Sequence, residues 1–82
     1  GEIDIIARDR DYLVFIEVKY RRDEHEGDPA EAVDARKQAR ILCTARYYMT
    51  RYNISEDTPC RFDVVAVLGS NVRLIRDAFW CG

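Results

Sequence analysis

Residues 61–68, Arg61-Phe62-Asp63-Val64-Val65-Ala66-Val67-Leu68, constrain the fold more than any other stretch of this chain. Six of these eight are apolar, several are β-branched, and the run is too short for a helix, so it reads as a strand. A strand apolar at successive positions is expected at the centre of a sheet, covered on both faces. The chain has 82 residues, enough for one small domain with a thin core, so few elements are available to supply that cover.

The other elements follow from periodicity. Residues 2–7 alternate in part, and residues 12–21 are β-branched and aromatic. With the polar turn Arg8-Asp9-Arg10-Asp11 between them they predict an antiparallel hairpin. Residues 22–34 are polar and acidic and read as a loop. A helix start is available at Asp28-Pro29-Ala30-Glu31, and Asp34 is a second candidate cap. Residues 35–52 predict a helix. Gln38, Ile41, Leu42, Ala45, Tyr48, Met49 and Tyr52 fall on one stripe, and Arg36, Arg40, Tyr47 and Arg51 on the opposite one. Residues 53–60 read as a loop, Gly69-Ser70-Asn71 as a turn and residues 72–79 as a last strand. The expected order is β-β-α-β-β in a single α/β domain spanning 1–82.

Charge separates along the chain. Residues 1–34 carry 5 basic and 11 acidic groups, and residues 35–82 carry 8 basic and 4 acidic groups. An acidic site beside a basic flank suits joint binding of a cation and a phosphate chain. The overall charge of −2 gives no bulk argument for nucleic acid. Three cysteines without a C-x-x-C pair argue against a disulfide scaffold and a zinc finger, and point to a reducing cytoplasm. No apolar run approaches the ~20 residues of a membrane span.

The chemistry is suggested by four charges in or beside apolar strands: Glu2, Asp4, Glu17 and Lys19. Burying such groups unpaired costs several kcal/mol each. If opposed residue numbers sum to 21, Asp4 faces Glu17 and Glu2 faces Lys19; a sum of 19 makes Asp4 and Glu17 diagonal neighbours. Either arrangement lets two carboxylates share one hard cation, which favours magnesium. A lysine alongside can activate water or neutralise a phosphate, so the set suggests metal-assisted phosphodiester hydrolysis. The plainer alternative is a Glu2–Lys19 cross-strand ion pair, with Asp4 and Glu17 on a solvated sheet face.

Around this centre, Arg21 and Arg22 follow Lys19 closely enough to meet phosphates. Arg36 and Arg40 belong to a stripe that either tracks a backbone or is merely solvated. Lys37 and Gln38 enter the first helical turn if Asp34 is the cap, where free N–H groups attract anions. His25 lies in the acidic loop with Glu24, Glu26 and Asp28, and a solvated loop explains it better than a metal site. Asp63 reads as a partner for backbone or arginine groups. The cysteines read as small buried hydrophobes.

Three blocks, Gly1-Glu2-Ile3-Asp4-Ile5-Ile6-Ala7, Phe15-Ile16-Glu17-Val18-Lys19-x-Arg21 and Arg61-Phe62-Asp63-Val64-Val65-Ala66-Val67, together resemble the YraN-like family of bacterial proteins. That family is similar in fold to the PD-(D/E)XK nucleases, which include restriction endonucleases and Holliday-junction resolvases. The resemblance implies a restriction-endonuclease-like mixed sheet with a packed helix. It implies metal carboxylates at Asp4 and Glu17 and a catalytic lysine at Lys19, with Mg2+ or Mn2+ as cofactor. Glu2 and Gln38 would support that centre, and Arg21, Arg22, Lys37, Arg36 and Arg40 would hold nucleic acid, DNA in the first instance and branched DNA included. The family's usual opening helix and first strand precede the first block and are not in this sequence, so exposed apolar surface, a homodimer or a rearrangement is expected. Tyr20 stands where the family more often has a small residue. The expected function is endonuclease-like. Its alternatives are an inactive nucleic-acid-binding module of the same fold, or a structural, protein-binding domain.

Overall fold

A computed structural model of the chain describes residues 3–21 and 34–79. Glu2, Arg22, the His25 loop, the Asp28-Pro29 helix start, Trp80 and Cys81 lie outside the described residues, as does the side chain of Arg21. Among those described, β1 (Ile5–Asp9), β2 (Tyr12–Arg21), α1 (Ala35–Arg51), β3 (Cys60–Leu68) and β4 (Asn71–Ile75) follow in the expected order. They form one mixed sheet in the order β1-β2-β3-β4, with β2 and β3 parallel and both outer pairs antiparallel. This is an α/β architecture compatible with a small nuclease-like fold.

The first hairpin adopts the register summing to 21, from Asp9↔Tyr12 to Ile5↔Ile16. Arg10 takes a left-handed φ of 57° to close the turn. The strand starts later than its alternation predicts, at Ile5 instead of residue 2, because the chain bends at Asp4. There the Asp4 carboxylate accepts the N–H of Val18 at 2.8 Å, while the Asp4 N–H donates to Ile16 O at 3.2 Å. A side-chain oxygen thus takes a β2 donor that a backbone carbonyl would otherwise satisfy.

Helix α1 is capped at both ends by local chemistry. Asp34 is the N-cap, its carboxylate accepting the Lys37 N–H at 2.9 Å. At the other end Asn53 is left-handed, with φ 54°. Its N–H reaches Thr50 O at 3.3 Å, and the Ile54 N–H reaches Met49 O at 2.8 Å. This paired closure is a Schellman motif, and Ile54 packs on the core as the hydrophobic residue that accompanies it. Tyr52, expected on the buried stripe, is instead 62% exposed because the helix has already ended there.

One sheet face packs against α1. Leu13 and Phe15 of β2, Phe62 and Val64 of β3, Ile41 and Ala45 of α1, and Phe79 form the core. Phe62 stacks between Phe15 and Phe79, with centroids 5.4 and 5.0 Å away. The expectation that β3 is covered on both faces needs correcting. It is interior to the sheet, but among the described residues a helix covers only one face, and Val65 and Val67 on the other are half-buried. The last strand is also shorter than residues 72–79, ending at Ile75. Asp77 turns the chain with a φ of 53°, and the Ala78 N–H rejoins Phe62 O at 2.8 Å.

Asp63 explains that bend. It is 2% exposed. Its carboxylate accepts Arg61 Nε at 2.9 Å, Arg61 Nη2 at 3.0 Å and the Asp77 N–H at 2.9 Å. Arg61 also reaches Asp9 at 3.1 Å and lies over the Tyr12 ring. Arg61 and Asp63 share a face because they are two apart on a strand. As read from the sequence, Asp63 satisfies arginine and backbone groups.

Candidate functional site

Glu17 and Lys19 project from β2 on the face that packs against α1, as their odd parity with Leu13 and Phe15 requires. Glu17 is 8% exposed, so its carboxylate needs partners. It has two. Lys19 Nζ lies 3.4 Å from Oε1, and Lys37 Nζ, from the first turn of α1, lies 2.8 Å from the same oxygen. Lys19 consequently holds its proton less tightly than an ordinary lysine. The contact with the Lys37 ammonium is the largest cause, followed by burial and by repulsion from Lys37, while Glu17 pulls the other way.

Asp4 comes to the same end of β2 by a different route from the one expected. It precedes the β1 ladder, is exposed, and is held on the N–H of Val18, the residue after Glu17. The donors offered here are carboxylate oxygens, which suit a hard cation. Among the described residues no group of three His, Cys, Asp or Glu side chains converges. The described residues would supply two carboxylates, Asp4 and Glu17, a number consistent with magnesium, which retains water and takes substrate phosphate.

Of the other expected residues, Gln38 is half-buried in the turn that carries Lys37, and Arg36 and Arg40 are exposed on α1. The contact between Lys37 and Glu17 was missed from the sequence, where Lys37 was read only as a phosphate ligand. A signal was available: Lys37 precedes the buried Ile41 by four residues, which places it above the core stripe of α1. The cysteine reading also needs correcting, since among the described residues Cys43 is exposed and Cys60 is partly buried. No described helix is long and apolar enough to cross a membrane.

The sequence profile of the uncharacterised protein family UPF0102 matches residues 1–67. The chain belongs to UPF0102. A UPF0102 protein of Lachnoclostridium phytofermentans is 54% identical over 79 residues, which is 96% of this chain and 67% of that protein. A UPF0102 protein of Nitrosococcus oceani is 45% identical over 83 residues and is covered to the same 67%. The UPF0102 protein YraN of Escherichia coli O1:K1 is 51% identical over 80 residues and is covered to 61%. The chain therefore spans about two thirds of the length of these UPF0102 relatives.

Proposed function

We propose that this chain is the core of a cytoplasmic, metal-dependent nuclease that hydrolyses phosphodiester bonds in DNA, branched DNA included. The observation that carries this reading is a nearly buried carboxylate, Glu17, on the strand face that carries the core residues Leu13 and Phe15, with Lys19 beside it and Asp4 tied to the next residue. Asp4 and Glu17 would hold Mg2+ or Mn2+, which when bound polarises a phosphoryl oxygen and acidifies water. Lys19, an ammonium that parts with its proton more readily than usual, either steadies the scissile phosphate or accepts the proton of the attacking water. Arg21, Arg22, Lys37, Arg36 and Arg40 hold the nucleic-acid backbone, with Glu2 and Gln38 supporting the centre.

The test is incubation of the full chain with linear duplex, branched and single-stranded DNA and with RNA, in Mg2+ or Mn2+. Cleavage is expected, and Glu17→Ala or Lys19→Ala is expected to reduce it by about 10²-fold or more. Absence of cleavage on every substrate overturns the reading.

One observation favours a second reading, an inactive nucleic-acid-binding module. Two ammonium groups, Lys19 at 3.4 Å and Lys37 at 2.8 Å, can serve as the counter-charge of the Glu17 carboxylate. Salt-sensitive DNA binding that survives Asp4→Ala and Glu17→Ala, with no cleavage by the parent, selects it.

A further inference from the structure

We infer that Lys37 is a positioning residue that occupies the Glu17 carboxylate while no cation is bound and is released toward phosphate when one enters. This rests on the reading of Asp4 and Glu17 as a cation centre and adds to it a linkage between cation and polyanion.

The geometry begins with one oxygen. Oε1 of Glu17 receives Lys37 Nζ at 2.8 Å and Lys19 Nζ at 3.4 Å, so the tighter partner comes from the helix layer. Glu17 is 8% exposed, and without a cation it requires such a counter-charge. Asp4 and Glu17 bring two negative charges to this end of β2, and Lys19 and Lys37 bring two positive ones. Among the described residues these four charges balance. A dication added to them leaves two positive charges in excess, in a place where partial burial weakens screening.

Two changes relieve that excess. An ammonium withdraws, or an anion arrives. Lys37 is the ammonium built to withdraw. Its backbone is held by the Asp34 cap, independently of where its side chain goes. Its side chain, exposed to nearly the same degree as that of Lys19 (22% against 20%), reaches the carboxylate from the helix and not from the strand that carries Glu17. Lys19 instead projects from within the β2–β3 ladder, opposite Ala66, next to Glu17 on the same strand face. A phosphate chain crossing the first turn of α1 would accept Lys37 and lower the charge at the same time. Cation binding and polyanion binding then assist each other, and a cation alone binds weakly because it must displace Lys37.

The test measures binding of Mn2+ alone to the full chain, by electron paramagnetic resonance of the free ion, for the parent, Lys37→Met, Lys37→Gln and Glu17→Gln. Far-UV circular dichroism checks that each variant is folded. Both Lys37 variants are expected to bind Mn2+ on the order of tenfold more tightly than the parent, since the cation no longer has to displace the ammonium. They are also expected to melt at lower temperature without the cation, because Glu17 loses its closest counter-charge. Glu17→Gln is expected to abolish the binding, alone and combined with Lys37→Met. Unchanged or weaker Mn2+ affinity in both Lys37 variants overturns the inference. Mn2+ binding indifferent to Glu17→Gln, or absent from every variant, overturns it together with the cation centre. If the Lys37 variants tighten binding through Glu17 but the parent cleaves nothing, the role of Lys37 stands and the hydrolase reading falls.

Discussion

Asp63 sits at 2% exposure in the middle of β3, where an unpaired carboxylate would be costly. Three hydrogen bonds from Arg61 and one from the Asp77 N–H offset that cost, and Arg61 is held more firmly in its charged form by the same contact. Asp63→Ala leaves the half-buried guanidinium with Asp9 as its remaining ion-pair partner and the Asp77 N–H without its acceptor. The expected cost is about 3–5 kcal/mol, read by urea unfolding. At Cys60 the prediction concerns pH. Burial pushes its thiol above the ordinary value, and the group donates to Thr58 O at 3.4 Å. Less thiolate is present at any mildly alkaline pH, so alkylation of Cys60 should lag behind that of a cysteine in a short peptide and rise later with pH. Exposed Cys43 should be labelled before it, as peptide mass spectrometry would show. Neither cysteine environment was legible in the sequence, because thiol burial depends on which elements meet.

Among the elements, the start of β1 is decided by a side chain. Asp4 binds the Val18 N–H, and the ladder begins at the next residue with the pair Ile5↔Ile16. Asp4→Ala should therefore speed amide exchange at Val18, while Asp4→Asn, which keeps an acceptor, should largely preserve its protection. Both changes remove the charge proposed to bind a cation, so the pair separates the structural role of Asp4 from the chemical one. Helix α1 was legible from its stripe of Ile41, Leu42, Ala45, Tyr48 and Met49, and its N-cap Asp34 from local chemistry. Asp34→Ala should cost about 1 kcal/mol in thermal or urea unfolding, as loss of an N-cap does. The last turn was misread at Tyr52 because hydrophobic periodicity carries no stop signal, whereas the left-handed Asn53 supplies one.

At the scale of the whole molecule the two sheet faces differ. The face under α1 holds Phe15 at 1% and Val64 at 0% exposure, whereas Val72 is 69% and Leu74 48% exposed. Phe15→Ala should cost about 3–5 kcal/mol in urea unfolding. Val72→Lys should change stability by no more than about 0.5 kcal/mol in the same measurement. Ile5, Tyr12 and Tyr20 are exposed as well.

The element order, the helix and its stripe, the apolar strands and the shared parity of Glu17 and Lys19 are set by residues close in sequence, because a 3.6 or 2.0 period is a local property of the chain. Tertiary structure decided which partners those residues receive. Lys37 is 20 residues from Glu17, Asp9 is 52 from Arg61, and Asp77 is 14 from Asp63. No periodicity encodes such contacts. They exist because β2 and β3 pair in parallel and α1 packs against one of the two faces, so the charge balance at the candidate site belongs to the packing of helix on sheet.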